Sequence, residues 1–264
     1  MSGPVADTTG LEARPASVAL LTAAIGRFQD PAAPVTDLAA ALAATVADAP
    51  PGERDDLVFA TVSAVLPVTH RWLRSRGLTA EQADASIADV ARKRDRYGVR
   101  GTGLDWFCAV ATGRVVAVGR LQFELGAHLA DGTPAWGVHV PETGPLDPFA
   151  CDRAFAAAPD VLRRLAPQVA VTVWNCRSWT LDPGLADVLG PDANLVRFAR
   201  RFTLLPPGAH DAAEGDDSAA KFVFGTDLAT ARATAPRGRV QAAVRARWDA
   251  GAHWTERTGT APVG

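Results

Sequence analysis

The segment HVPETGPLDP, residues 139–148, decides how the rest of the chain is interpreted. An apolar run that ends at Pro141 predicts a strand, and Glu142-Thr-Gly144 predicts a turn after it. Asp147 and Pro148 are typical of the N-cap and the first position of a helix. A strand that leads through a glycine turn to a helix N-terminus presents backbone N–H groups to an anion. We therefore interpret this segment as an anion-binding turn.

Segments on both sides of this turn predict a β-rich region with helices between the strands. The predicted strands are residues 104–110, 115–118, 121–125, 135–140, 169–177, 195–205 and 221–224. Residues 111–114 predict a hairpin turn, and residues 206–218, rich in Gly and Asp, predict a loop. The predicted helices are residues 148–157 with an extension to 165, a short helix between Asp182-Pro183 and Gly190, and residues 239–250.

The N-terminal part of the chain predicts helices only. Apolar residues at helical spacing, beginning with Val18, Leu21, Ile25 and Phe28, predict helices near residues 18–28, 36–46, 54–76 and 80–96. Pro67 predicts a bend in the third helix, and Thr79 with Gln82 predicts a capping box at the start of the fourth. Residues 1–15 are polar and are expected to be frayed.

Helical periodicity gives way to alternating residues at Tyr97–Gly103, where three glycines cluster. We therefore predict two domains, a helical one over residues 1–98 and a mixed one over residues 99–264. A run of helices followed by strands with interspersed helices is typical of the α+β class. A chain of 264 residues is long enough for two small domains or one large one.

Composition and charge exclude several functions. A net charge of −2 and a hydrophobic content of 48% are typical of a globular protein with no affinity for nucleic acid or acidic membranes. No apolar run approaches the roughly 20 residues of a membrane span, and no signal peptide is evident, so we expect a cytoplasmic protein. Cys108, Cys151 and Cys176 are expected to be reduced thiols. No histidine pair has a zinc spacing, so no metal is predicted.

Five short strings carry a resemblance to a known family. They are Leu121-Gln-Phe-Glu-Leu125, His139-Val-Pro141, Gly144-Pro-Leu146, Cys176-Arg-Ser-Trp179 and Asp192-Ala-Asn-Leu-Val-Arg-Phe198. The sequence resembles an acyltransferase family with a helical N-terminal acyltransferase domain and a C-terminal domain like those of the GNAT superfamily. The resemblance covers nearly the whole chain and is densest from 115 to 205. It implies a GNAT-like mixed β-sheet flanked by helices after the helical domain.

The resemblance also implies a reaction and a donor site. The expected enzyme is an N-acyltransferase that moves an acyl group, with acetyl as the expected one, from acyl-CoA or an acyl carrier protein to a small-molecule amine. In GNAT folds the pantetheine arm lies beside the fourth strand and hydrogen-bonds to its backbone. The implied positions are Val138, His139 and Val140 along the arm, with Thr143 and Gly144 nearest the pyrophosphate. A homodimer is left open.

Departures from the family pattern keep other functions open. Glu142-Thr-Gly-Pro145 replaces the usual Gln/Arg-x-x-Gly-x-Gly/Ala loop, and Ala193-Asn194-Leu195 replaces the expected Ser-Asn-Ile. The only tyrosine is Tyr97, so the tyrosine that many GNAT enzymes use as general acid is absent. The first alternative is a catalytically silent GNAT-fold module that binds an acyl carrier or a partner protein. The second is a thioester hydrolase acting through Cys176.

The candidate catalytic residues each have an ordinary structural explanation as well. His139 is a candidate general base because imidazole titrates near neutral pH, but a strand histidine can simply hold a turn. Alternation along its strand places Glu124 on the side opposite the apolar residues. It is either a candidate base or an ordinary solvated residue. Ser178 and Cys176 are candidates to protonate the leaving thiolate.

Three further residues are candidates for acceptor binding. Trp179 can line an acceptor site, although a tryptophan of this kind is most often part of a core. Asn194 and Arg197 flank the start of a predicted strand. An asparagine there is typical of a turn, whereas the arginine can bind a carboxylate.

Overall fold

The computed structural model describes residues 11–27 and 35–264. Its helices are α1 Pro15–Ala24, α2 Val35–Thr45, α3 Arg54–Ser75, α4 Ala80–Ile87, α5 Asp89–Thr102, α6 Leu104–Ala111, α7 Pro148–Leu165, α8 Leu185–Leu189, α9 Asn194–Ala199, α10 Asp211–Ala219, α11 Leu228–Ala233 and α12 Arg239–Asp249. Its strands are β1 Val115–Val118, β2 Leu121–His128, β3 Pro134–His139, β4 Val173–Ser178, β5 Thr203–Leu204 and β6 Arg257–Pro262. The predicted class is confirmed: a helical region precedes a mixed six-stranded sheet with flanking helices. None of the described helices combines the length and apolar character needed to cross a membrane.

The chain separates into two compact units. The first contains the described residues up to Val118 together with Gln122–Gly126 and Ala157–Ala170. The second contains Gly119–Leu121, Ala127–Ala156 and Val171–Gly264. The boundary between residues 98 and 99 that the sequence suggests stays a prediction.

The first unit has an apolar core made by its helices. Phe59, Val62 and Val65 of α3 are buried in it, together with apolar residues of α1, α2 and α6. The first three predicted helices are confirmed, while Phe28 and residues 1–10 lie outside the described residues. The capping box is confirmed too, because Gln82 N–H donates to Thr79 Oγ1 at 3.1 Å and Thr79 N–H donates to Gln82 Oε1 at 2.9 Å.

The strand predicted at residues 104–110 is wrong, since this segment forms α6. Phe107 and the four residues after it are all buried, so the segment is apolar on every side. A short, continuously apolar segment does not reveal by periodicity whether it is a strand or a buried helix. The predicted hairpin turn at 111–114 is the end of α6, and the turn between β1 and β2 lies at Gly119-Arg120 instead.

The strands form one sheet in the order β1-β2-β3-β4-β6-β5. β4 runs parallel to β3 and antiparallel to β6, and β5 pairs with β6 in antiparallel register. β4 and β6 are paired along their whole lengths, from Val173–Pro262 to Ser178–Arg257. β6 is therefore an inner strand of the sheet, although the sequence did not predict it.

Three C-terminal predictions are wrong. Residues 195–205 form α9 and the short β5 rather than one strand, because the buried Val196 and Phe198 imitate strand alternation within a single helical turn. Residues 206–218 contain most of α10, and 221–224 lie in a π-helical turn, Ala220–Phe224. Gly215 lies within α10. A Cβ atom at this position would collide with the backbone of Trp254, so only glycine fits there. In the sequence alone, Gly215 reads as a sign of a loop. In the structure it allows two backbone segments to approach closely.

Candidate active site

β3 and β4 are paired over only a short distance. The paired residues are Trp136 with Trp174 and, last, Gly137 with Asn175. Beyond this pair β3 continues for two residues and β4 for three. Because a parallel ladder uses backbone N–H and C=O groups of both strands, the facing edges beyond the last pair lie outside the ladder. We call this region the β3–β4 opening; strand edges of this kind can bind an extended ligand through its amide groups.

Aromatic rings hold the paired end of the opening together. The ring centroid of Trp174 lies 5.2 Å from that of Trp136 and 5.5 Å from that of Phe155. Both tryptophans are buried. Aromatic pairs at these distances contribute about 0.5–1.5 kcal/mol beyond the area that they bury. The strands are thus fixed at one end and part at the other.

Asn175 marks the point where the two strands part. Its side-chain Oδ1 is buried and, within the described part of the chain, accepts no hydrogen bond. A buried acceptor without a donor costs about 1–3 kcal/mol and is uncommon in native proteins. Sequence reasoning did not identify this residue, since an asparagine in a strand gives no indication of what faces it.

The turn after β3 is held by Arg120 from the turn between β1 and β2. Its guanidinium donates to the carbonyl oxygens of Pro141 at 3.0 Å, Gly144 at 2.7 Å and Pro145 at 2.8 Å. Gly144 has a φ of +105°, which favours glycine. Burial lowers the pKa of Arg120, but a guanidinium remains protonated in proteins. Sequence reasoning missed Arg120, which lies in a turn without a functional motif.

The helix that follows the turn begins as predicted. Asp147 Oδ1 accepts the N–H of Ala150 at 2.7 Å, which is the hydrogen bond of an N-cap. Pro148 is the first residue of α7, a helix of 18 residues. The positive end of its dipole therefore faces the turn, so that the predicted sequence of strand, turn and helix N-terminus is confirmed.

The residues predicted to hold the donor lie on one continuous segment of the second unit. Val138 is buried, and His139 and Val140 are half-buried at the end of β3. Thr143 and Gly144 are exposed in the turn. The structure thus brings all five positions together beside the β3–β4 opening, and their roles in binding stay predictions.

Glu124 lies on β2 in the first unit and is engaged in an ion pair. Its Oε1 accepts the Nε–H of Arg114 at 2.9 Å, and the side chains are 21% and 11% exposed. Arg114 also donates to the carbonyl oxygen of Gly126 at 2.7 Å. Proton uptake by Oε1 would require this ion pair to open. His139 lies in the second unit at the opening, and the roles of both residues as a base stay predictions.

Cys176 and Ser178 lie on β4 beyond the last pair with β3. Burial raises the pKa of Cys176 to about 12. Since the thiolate is the nucleophile, this thiol is poorly suited to carry an acyl group, and it is a poor acid toward a leaving thiolate of pKa about 8.5. Ser178 Oγ accepts the N–H and the hydroxyl of Thr180 at 3.1 and 3.0 Å. It caps the 3₁₀ turn Trp179–Leu181, and its catalytic role stays a prediction.

The three predicted acceptor residues lie in different surroundings. Trp179 is 4% exposed and its ring centroid lies 5.7 Å from that of Trp254, in an apolar core of the second unit. Asn194 and Arg197 are exposed on α9, which is a helix and not the start of a strand. The backbone oxygen of Arg197 accepts a hydrogen bond from Arg201 at 2.8 Å. The structure thus brings Asn194 and Arg197 together on one helix, and the acceptor roles of all three stay predictions.

Three acidic residues of the second unit lie around one arginine. Arg177 lies 2.8 Å from Glu214, 3.3 Å from Asp211 and 3.9 Å from Glu256. Burial raises the pKa of Glu256. The charges of Glu214 and Asp211 raise it further, whereas the positive charge of Arg177 lowers it. Within residues 11–27 and 35–264, no group of three or more His, Cys, Asp or Glu side chains is arranged to hold a metal ion.

Similarity to known proteins covers more than half of the chain. The GNAT-like C-terminal domain family matches residues 115–261. A solved acyltransferase in complex with decanoyl-CoA and teicoplanin is 32% identical, with a TM-score of 0.70 over 81% of this chain and 68% of that one. An acyltransferase in complex with CoA and 10C-teicoplanin is 31% identical, with the same TM-score and the same coverage. A tryptophan-to-alanine mutant of an acyltransferase in complex with octanoyl-CoA is 32% identical, again with a TM-score of 0.70 over 81% and 68%. No curated protein matches the chain.

Proposed function

The chain belongs to the GNAT-like C-terminal domain family, and from this premise we propose its donor, its acceptor and its general base. It is an acyl-CoA-dependent acyltransferase of the GNAT type. In our proposal a medium-chain acyl-CoA binds along the β3–β4 opening, and the acyl group passes to the amine of a small-molecule acceptor. His139 acts as the base.

The observation that carries this proposal is the end of the β3–β4 ladder at Gly137 and Asn175. Both strands continue past this pair, and we place the amide groups of the pantetheine arm between their facing edges. The buried Oδ1 of Asn175 can accept an N–H from that arm. The residues at the opening therefore match the chemistry of the donor.

The phosphate end of the donor would lie at the turn before α7. The N-terminus of α7 and the backbone N–H groups of the turn favour an anion there. Thr143 is exposed, so its substitution tests this position without disturbing a core. Gly144 is less suitable as a test position, because its φ of +105° would strain any other residue.

The proposed reaction is a direct transfer. The nitrogen of the neutral amine attacks the thioester carbon, the C–S bond breaks and the thiolate of coenzyme A leaves. The proton that the amine loses passes to His139 Nδ1 or Nε2. Such a thiolate, with a pKa of about 8.5, leaves readily without an acid. Ser178 stays the candidate donor if the thiolate is protonated at once.

The solved relatives support the proposed length of the acyl group. Octanoyl-CoA and decanoyl-CoA are bound in structures that are 32% identical to this chain, whereas the sequence alone predicts acetyl. Each buried CH₂ contributes about 0.8 kcal/mol, roughly a fourfold gain in affinity. Teicoplanin is bound beside decanoyl-CoA in one of them, so glycopeptides of that kind are the first acceptors to test.

The decisive experiment combines donor length with a charge at the turn. We expect octanoyl-CoA and decanoyl-CoA to bind at least tenfold more tightly than acetyl-CoA in calorimetry, because their methylenes are buried. We expect Thr143→Asp to weaken octanoyl-CoA binding at least about fivefold by like-charge repulsion, while the neutral control Thr143→Asn retains it. Equal affinity for all three donors would contradict the proposed medium-chain acyl group and favour acetyl. Equal binding of octanoyl-CoA by Thr143→Asp and Thr143→Asn would show that the phosphate does not lie at this turn.

A covalent route through Cys176 is the alternative to test. Mass spectrometry after mixing with octanoyl-CoA alone should show no stable acyl adduct, because the Cys176 thiol is protonated at neutral pH. An adduct on Cys176, lost together with all turnover in Cys176→Ala, would replace the direct mechanism. An acyl carrier protein as donor, a homodimer and a cytoplasmic location stay predictions.

A further inference from the structure

The Arg120 guanidinium is used in an uncommon way. It makes hydrogen bonds to the backbone oxygens of Pro141, Gly144 and Pro145, which together form the turn after β3. Each of these distances is between 2.7 and 3.0 Å, within the range of N–H···O hydrogen bonds. One planar cation therefore fixes three carbonyl groups of a single turn.

These bonds also fix the direction of N–H groups. All described peptide bonds are trans, so a C=O and the following N–H point in opposite directions. The bonds of Arg120 to Pro141 and Pro145 therefore turn the N–H groups of Glu142 and Leu146 away from the guanidinium. The residue after Gly144 is Pro145, which has no N–H. The hydrogen bond from Arg120 to the Gly144 carbonyl oxygen therefore holds the turn but does not set the direction of an N–H group.

We propose that Arg120 is a positioning residue for the diphosphate of the acyl-CoA donor, an inference that rests on the donor site described under the proposed function. The turn Glu142-Thr-Gly-Pro145 contains one glycine, and its second proline lacks an N–H. Arg120 holds the carbonyl groups on one side of the turn, so the N–H groups of Glu142 and Leu146 point to the other side, where the diphosphate would lie. The half-buried positive charge of Arg120 also attracts a phosphate at short range.

The test compares three donors that differ only at the phosphate end. These are octanoyl-CoA, octanoyl-dephospho-CoA, which lacks the 3′-phosphate, and S-octanoyl-pantetheine, which lacks the diphosphate. We expect Arg120→Gln to weaken binding of both CoA thioesters about 10- to 100-fold in calorimetry. Binding of S-octanoyl-pantetheine should change less than about threefold, because it makes no contact with the turn. A merely structural role of Arg120 would weaken all three donors alike.

Two further variants separate positioning from charge and from folding. Arg120→Lys keeps the charge but not the planar fork, so we expect it to lose most of the same affinity. Full binding of the CoA thioesters by Arg120→Lys would overturn the positioning role. Arg239→Gln is the matched control, since Arg239 also donates to a backbone oxygen, that of Leu189. Melting temperatures of all variants show whether they are folded.

The outcomes distinguish this inference from the proposed function. If the wild-type protein binds none of the three donors, the proposed donor site is wrong and the inference falls with it. If the wild type binds all three and Arg120→Gln weakens them equally, or weakens none, only the role of Arg120 is overturned. Selective loss of the two CoA thioesters would support both.

Discussion

The two edges of β4 are paired to very different extents. Toward β6, all six residues from Val173 to Ser178 have a partner. Toward β3, only Trp174 and Asn175 have one. Complete pairing satisfies the backbone of an edge and leaves nothing for a ligand. One strand is thus fully paired along one edge, and the other edge is the one to which we assign donor binding.

Two residues of these ladders differ as well. Gly259 on β6 lies opposite Cys176 and Leu204, where the chains approach so closely that a Cβ atom would lie 2.9 Å from Phe202 Cβ. Asn175, the last residue of β4 that is paired with β3, has a side-chain oxygen that is buried and accepts no hydrogen bond from the described residues. We call the fully paired edge of β4 toward β6 the closed edge and the partly paired edge toward β3 the open edge. We infer that folding is sensitive to the first edge and donor binding to the second.

The largest effect is expected from the base at the open edge. His139→Ala should lower kcat with octanoyl-CoA about 10²- to 10⁴-fold, the usual contribution of a positioned base, and change donor affinity little. The control is His128→Ala, which removes an exposed histidine at the end of β2. Glu124→Gln is measured in parallel, and a larger loss of turnover in that variant would assign the base to Glu124 instead.

The next effect concerns the closed edge. Gly259→Ala should lower the free energy of unfolding by about 1–3 kcal/mol, because the new methyl group overpacks Phe202 and Leu181. Urea denaturation measures this change, with Gly52→Ala as control, since no atom lies within 4 Å of a Cβ placed there. Unchanged stability in Gly259→Ala would mean that the closed edge has room to adjust.

A smaller effect is expected at the last pair of the open edge. Asn175→Leu removes the unsatisfied oxygen, so stability should stay unchanged or rise by up to about 1 kcal/mol. Octanoyl-CoA should bind about 3- to 10-fold more weakly, because one hydrogen bond is lost. Asn194→Leu on the exposed start of α9 is the matched control. A clear loss of stability in Asn175→Leu would identify the asparagine as a structural residue.

The smallest effect is a pH dependence beside the closed edge. Burial raises the pKa of Glu256, the residue before β6, so the folded protein holds this proton at pH values where the unfolded chain has lost it. The free energy of unfolding should therefore fall as pH rises from the ordinary glutamate range to the raised pKa, by at most about 1.4 kcal/mol per pH unit. Denaturation at several pH values measures this slope, which Glu256→Gln should remove. An unchanged slope in that variant would assign it to another group.

Much of the site region could be predicted from local sequence. The strand before Pro141, the turn and the N-cap Asp147 are confirmed, as is the capping box of Thr79 and Gln82. These features depend on hydrogen bonds and steric limits within a few residues, so the residue types carry them. The strands predicted at residues 104–110 and 195–205 were wrong for the converse reason. A short apolar segment is compatible with a helix or a strand, and its neighbours in space decide between them.

The sequence by itself determined the helices with clear periodicity, the turn after β3 and its capped helix. Only the tertiary structure decided how β4 is divided between a closed and an open edge. Residues 257–262, Arg-Thr-Gly-Thr-Ala-Pro, have no apolar alternation, and they form β6 because their backbone pairs with β4 on one side and β5 on the other. Arg120 contacts the turn across 21 to 25 residues of sequence. Backbone pairing and side-chain contacts over such separations depend on which segments meet in space, and the order of residues along the chain does not record that.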